Sequence, residues 1–129
     1  MTLLHHAVRE EHARSMFSIL EKCPEMASIP TARTRNPPRW TALQILSDKA
    51  QPAGQEGSAR FMRMASAVLV ANMSASALNN RGKSWATASH MAISRGNFSI
   101  VKKILWRLVD LGGYEAAIQH VNLQNGTVP

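Results

Sequence analysis

The side chains best suited to chemistry in this sequence are three histidines near its start, His5, His6 and His12, followed by the lone cysteine, Cys23. Imidazole nitrogen and thiolate sulfur are the ligands zinc prefers, so the cluster raises the question of a metal site. Its spacing argues against one, because there is neither a Cys-x-x-Cys pair nor a His-Glu-x-x-His turn to set two ligands on one face. Glu10, Glu11 and Glu21 lie among basic residues on helical stretches, as solvated faces do, and not as an isolated carboxylate pair. No phosphate-cradling glycine loop and no nucleophile elbow occurs. Catalysis needs a nucleophile, a base and polarising donors held together, and the sequence supplies no such set. The expectation is a protein without catalytic residues, metal, cofactor or small-molecule substrate.

A series of short helical stretches must position whatever groups do matter. The clearest runs from Thr87 to Leu105. Thr87 is placed to cap a first helix, Gly96 to take the positive φ that ends it, and Asn97 to cap a second. Ile100, Val101, Ile104 and Leu105 recur at offsets of one and four residues, which builds one apolar stripe, with Lys102 and Lys103 between them toward solvent. A helix of small residues (Ala88, Ser89, Ala92) paired with such a stripe cannot bury both faces alone and needs neighbours on either side. The spacing repeats without a gap from Thr2 to Leu20, eighteen residues as in the first case, but Glu11 stands where Gly96 does. A side chain forced left-handed costs about 1–2 kcal/mol, so either that turn is built differently or it bears the strain. A third copy begins at Thr41, Ala42, Leu43, Gln44, Ile45 and Leu46 and fades near Lys49. It resumes after the loop of Gln51, Pro52, Gly54 and Gly57 as a helix expected over Ala59 to Asn72, with Phe61, Met64, Ala65, Val68 and Leu69 on one face.

Thr87, His90, Ala92, Gly96, Ile100, Val101, Ile104 and Leu105 fall in register with the Thr-Pro-Leu-His-x-Ala-Ala, Gly-His, Ile-Val, Leu-Leu template of the ankyrin repeat, which the chain therefore resembles. Ala88 and Ser89 replace the Pro-Leu, Asn97 replaces the second histidine, and Gln44 takes the histidine's place in the copy at Thr41. The resemblance implies an all-α, ankyrin-type helix–turn–helix solenoid with extended finger loops. It would be a single domain over residues 1–129, with repeats at approximately 1–40, 41–86 and 87–127. It also implies that His5 and His90 tie adjacent repeats by hydrogen bonds, and that 21–40 and 74–86 return as β-hairpin fingers. Pro37-Pro38 would lie at one tip, and Asn79-Asn80-Arg81-Gly82 would form the turn of the other. Gly112-Gly113 is expected to stop the last long helix, Tyr114 to His120 to add a turn, and Val121-Asn122 to open another finger. Repeat starts at Thr2, Thr41, Thr87 and Val128 are 39, 46 and 41 residues apart, against a family period of about 33; insertions account for the excess. Both ends fall inside the motif at nearly the same phase, so the segment is expected to be part of a longer array.

Composition bounds the rest. The 129 residues are 45% hydrophobic and 5% aromatic, enough apolar material for one core of short helices. The net charge of +7 is uneven: residues 1–32 carry −1 and residues 33–129 carry +8. A lone cysteine fits a reducing compartment. There is no leader at Met1, and the longest apolar run, Ala67 to Ala71, is far below the ~18 residues a membrane span needs. The glycosylation-type triplets at Asn72, Asn97 and Asn125 are expected to be unused. The chain reads as soluble and intracellular, in cytoplasm or nucleus, with no membrane partner.

Ankyrin-like scaffolds hold partners at finger tips and along the exposed face of each first helix. Carried onto this chain by the resemblance, those positions are Arg9 and Glu10; Arg39, Trp40, Asp48 and Lys49; and Arg81, Lys83, Trp85, Ser94 and Arg95. Six of the eleven are basic and two are tryptophan, and arginine and tryptophan dominate binding energy at interfaces. The alternative is that the charges are solvated and the tryptophans pack on neighbouring fingers; Trp40, beside the capping Thr41, is expected to be buried, and Trp85 is left open. The function expected is non-catalytic protein–protein interaction with an acidic or extended segment of a partner whose identity the sequence does not give. Two rivals remain. One is sequence-independent nucleic-acid binding by the basic second half, for which no recognition motif is present. The other is a structural spacer within a larger protein.

Overall fold

The computed structural model describes residues 3–30, 39–48, 56–81 and 86–124. They form α1 (Leu3–Arg9), α2 (Ala13–Lys22), a 3-10 helix (Pro24–Ser28), α3 (Ala42–Ser47), α4 (Glu56–Ala71), α5 (Ala75–Leu78), α6 (Ala88–Ser94) and α7 (Phe98–Gln124), with no strand among the described residues. The class is all-α. No helix among them is long and apolar enough to cross a membrane.

Side-chain chemistry explains where the helices begin. Thr41 Oγ1 accepts from the Gln44 N–H at 3.3 Å while the Gln44 amide oxygen accepts from the Thr41 N–H at 2.9 Å, a reciprocal capping box. Thr87 caps α6 by accepting from the His90 N–H at 3.3 Å. The turn after α6 closes with Gly96 N–H on the Ile93 carbonyl and Asn97 N–H on the Ala92 carbonyl, and Gly96 has φ +78. The turn after α1 repeats it: Glu11 N–H bonds the Val8 carbonyl, His12 N–H bonds the Ala7 carbonyl, and Glu11 sits at φ 58. The glutamate therefore bears the strain. A Cβ at Gly96 would meet nothing within 4 Å, so substitution there reads the backbone term alone, whereas at Glu11 it also removes a side chain with an interaction of its own. Glu11→Gly should raise, and Gly96→Ala lower, the unfolding free energy by about 1 kcal/mol each in urea titrations. Equal stabilities for both variants and wild type would contradict the shared turn.

The helices pair as α1 with α2, α3 with α4, and α6 with α7. The pairs pack in series, α3 against both α1 and α6, and α4 against both α2 and α7. Having neighbours on both sides, α3 is buried along its whole length, whereas α1 leaves Leu3 73% exposed. One apolar cluster runs through the stack from Leu4, Val8, Met16 and Leu20, through Leu43, Leu46, Phe61 and Leu69, to Ile100, Ile104 and Leu108.

Several expectations require correction. The Ser74 N–H donates to Ser28 Oγ at 3.1 Å, but the segments so joined are not fingers. Pro24–Ser28 is a 3-10 helix with proline at its start, and Ala75–Leu78 is a helical turn capped by Ser74 Oγ, which accepts from the Ala77 N–H at 3.2 Å. Pro37-Pro38, Gly82 and the loop of Gln51, Pro52 and Gly54 lie outside the described residues. At Gly112-Gly113 the helix kinks and resumes, so that Val121-Asn122 is helical and opens no finger. A third tier results, in which α5 packs against both the 3-10 helix and α7. The buried face of α4 is Phe61, Met62, Ala65, Leu69 and Val70; Met64 is 39% exposed and Val68 half-buried, because flanking helices α2, α3 and α7 define a face rotated from the one expected. Lys103 is half-buried, not solvent-facing: Nζ donates to Ser66 Oγ at 3.2 Å, and burial, followed by the nearby Arg63 charge, lowers its pKa.

Candidate partner-binding face

At two of the three repeats the fourth residue of the template, His5 and Gln44, ties one helix pair to the next. His5 is fully buried and its Nε2 donates to the Trp40 carbonyl at 2.9 Å. Burial lowers the His5 pKa, partly opposed by that bond, and the ring stays neutral near pH 7. Gln44, at the corresponding place in α3, donates through Nε2 to the Ala86 carbonyl at 3.0 Å and the Asn80 carbonyl at 2.8 Å. Its oxygen also accepts from Asn80 Nδ2 at 2.7 Å. Trp40 and Ala86 each directly precede a capping threonine, so the same rung is built twice with different side chains. At the third such position His90 is exposed. The stretch corresponding to Trp40 and Ala86, ahead of Val128, lies outside the described residues.

These rungs position several of the residues assigned to partner binding. Asn80 Nδ2 also donates to the Arg39 carbonyl at 3.0 Å, which holds the Arg39–Trp40 and Asn80–Arg81 segments side by side. Arg39 is exposed with φ 55, while Trp40 and Arg81 are half-buried. At the far ends of the first helices, Arg95 and Asp48 form an exposed ion pair at 3.5 Å that joins the second and third pairs, with exposed Ser94 adjoining it. Arg9 and Glu10, both exposed, form a separate pair at 3.6 Å. Such pairs contribute roughly 0–1 kcal/mol, so changing them alters the surface more than the fold. Lys49, Lys83 and Trp85 lie outside the described residues. The described candidates thus comprise Arg39 and Arg81 ahead of the first helices and, at the far ends, Asp48 and Arg95 near exposed Ile93.

Among the described residues no three His, Cys, Asp or Glu side chains are grouped to hold a metal ion. One chain of polar groups escaped the sequence reading. His120 is fully buried; its Nδ1–H donates to Asn79 Oδ1 at 2.6 Å, and Ser89 Oγ donates to its Nε2 at 2.8 Å. A hydroxyl, a neutral imidazole and an orienting carbonyl in this order resemble an activated nucleophile. The surroundings give it another role: Ser89 is fully buried, and burial lowers the imidazole pKa to about 4, far below that of a base working near neutrality. It is a clamp between α5, α6 and α7. No local signal marked it, since Ser89 stands at an apolar template position and its partner lies 31 residues away.

The chain matches no protein-family model, no curated protein and no solved structure.

Proposed function

We propose that this chain is an ankyrin-type solenoid of three helix pairs that binds a protein partner without catalysing a reaction. The observation that carries the reading is the repeated rung. His5 on Trp40 and Gln44 on Ala86 make the same contact, from the same motif position, to the residue ahead of the next capping threonine. A side chain that reaches into the following unit is what a stacked array uses to hold its neighbours. The serial packing of α1, α3 and α6 supports it further, because it sets their free ends side by side. On the proposed face Arg39, Arg81 and Arg95 supply attraction for an acidic or extended segment, and half-buried Trp40 supplies apolar contact. Lys49, Lys83 and Trp85, outside the described residues, are joined to this reading by the resemblance alone. The setting is intracellular, in cytoplasm or nucleus, and no cofactor or metal takes part.

The basic second half, +8 over residues 33–129, favours one other reading, attraction of nucleic acid through phosphate charge alone. Affinity capture from cell extract, with and without nuclease, separates the two. Protein retention indifferent to nuclease is expected; retention abolished by nuclease would give precedence to nucleic acid, and no specific retention would favour a spacer.

A further inference from the structure

The last tier of the fold hangs on two glycines and one imidazole. Gly113 has φ 75 and ψ −174, a conformation open almost only to glycine, and a Cβ on Gly112 would approach the Ala116 Cβ to 2.9 Å. Past this kink, residues 114–122 bury little. Ala116 and Ala117 are partly buried against the core, whereas Tyr114, Ile118 and Val121 are 73%, 60% and 44% exposed. His120 is the segment's one fully buried side chain among those described, bonded at both nitrogens to Asn79 and Ser89. Segments with few buried apolar contacts open at low free-energy cost while the rest stays folded.

We propose that residues 114–124 form an arm, hinged at Gly112-Gly113 and latched by the Ser89–His120–Asn79 bonds, which is released when His120 takes up a proton. Among the described residues nothing near the ring compensates a charge. The α5 helix has no titratable side chain, and the 3-10 helix packed on it carries only exposed Glu25. On α6 the only titratable group is exposed His90; the first charged side chain after α5 is Arg81, a cation. On α7, Arg107 donates to the Met73 carbonyl, Asp110 and Glu115 are exposed, and Arg63 of α4 lies by Lys103. Burial alone takes the imidazole pKa from 6.5 to about 4. The latch is therefore at full strength above pH 6.5 and weakens as the pH falls toward 4, because the released ring binds the proton more tightly than the buried one. Asn79 adjoins Asn80 and Arg81, so the latch reaches the face proposed to bind a partner, although the release does not rest on that reading.

Hydrogen exchange on the whole chain at pH 7 and 4.5, corrected for intrinsic rates, tests this. Protection of residues 114–124 should fall at least tenfold at the lower pH while 98–111 keep theirs; His5, the other buried imidazole, reports separately through residues 3–9. His120→Gln should remove the pH dependence, at whatever level of protection it leaves. Asn79→Asp, which places a counter-charge beside Nδ1, should hold the arm at pH 4.5 to within about threefold of its value at pH 7. The proposal is overturned if protection is equal at both pH values, if it is lost in step with 98–111, if His120→Gln keeps the wild-type pH response, or if Asn79→Asp releases as wild type does.

Discussion

Replacing Gln44 by alanine should lower the unfolding free energy by about 3 kcal/mol or more, the largest effect expected of any polar substitution in the chain. The side chain is 1% exposed and makes five bonds: its oxygen accepts from the Thr41 N–H, the Thr41 hydroxyl and Asn80 Nδ2, and its nitrogen donates to the Asn80 and Ala86 carbonyls. Alanine removes the reciprocal half of a helix cap and leaves groups on two chain segments without partners, each costing about 1–3 kcal/mol when buried. Gln44→His provides the control. His5 uses one ring nitrogen to reach the Trp40 carbonyl, so a histidine at 44 should recover the bond to Ala86 and roughly half of the lost stability. Urea titration of the three proteins decides it. A loss below about 0.5 kcal/mol for Gln44→Ala would mean that the rung does not tie the pairs together.

Ile104→Ala should cost about 2–5 kcal/mol, and Trp106→Ala less than about 1 kcal/mol, although the tryptophan is much the larger side chain. Ile104 is fully buried between Ile100 and Leu108 on the face of α7 turned to α4 and α6, and its truncation leaves a cavity at the last interface of the stack. Trp106 lies two residues on and is 61% exposed. The two substitutions together measure the phase of α7. A reversed order of effects in thermal or urea unfolding would place the helix's packed face on the opposite side.

Local features of this fold were legible because they are written within a few residues. Thr41 and Thr87 cap helices and Gly96 takes the left-handed turn, as the spacing led one to expect, while at Glu11 the spacing left two outcomes open and the left-handed one is found. Long-range packing was less legible. The face of α4 was read as including Met64 and Val68, but Met62 and Val70 also fit a helical repeat, and only the helices on its flanks choose between them. The third tier was mistaken for hairpin fingers because proline, serine and asparagine serve the starts of short helices as readily as turns; Pro24 and Ser74 do the former. Of the candidate face, sequence position selected Asp48 and Arg95 separately, and only the stacking of α3 on α6 pairs them. The Ser89–His120–Asn79 clamp spans separations of 31 and 41 residues, for which no periodicity exists to be read.

The central claim, that the loops and first-helix ends form one partner-binding surface, is tested most directly by the dissociation constant of the captured partner for wild type and for the chain carrying Arg81→Glu, Lys83→Glu and Arg95→Glu together. Reversing three cations opposite an acidic segment should weaken binding by tenfold or more, about 1.4 kcal/mol at least, with a melting temperature close to that of wild type. An unchanged dissociation constant, with the fold intact, would contradict the claim.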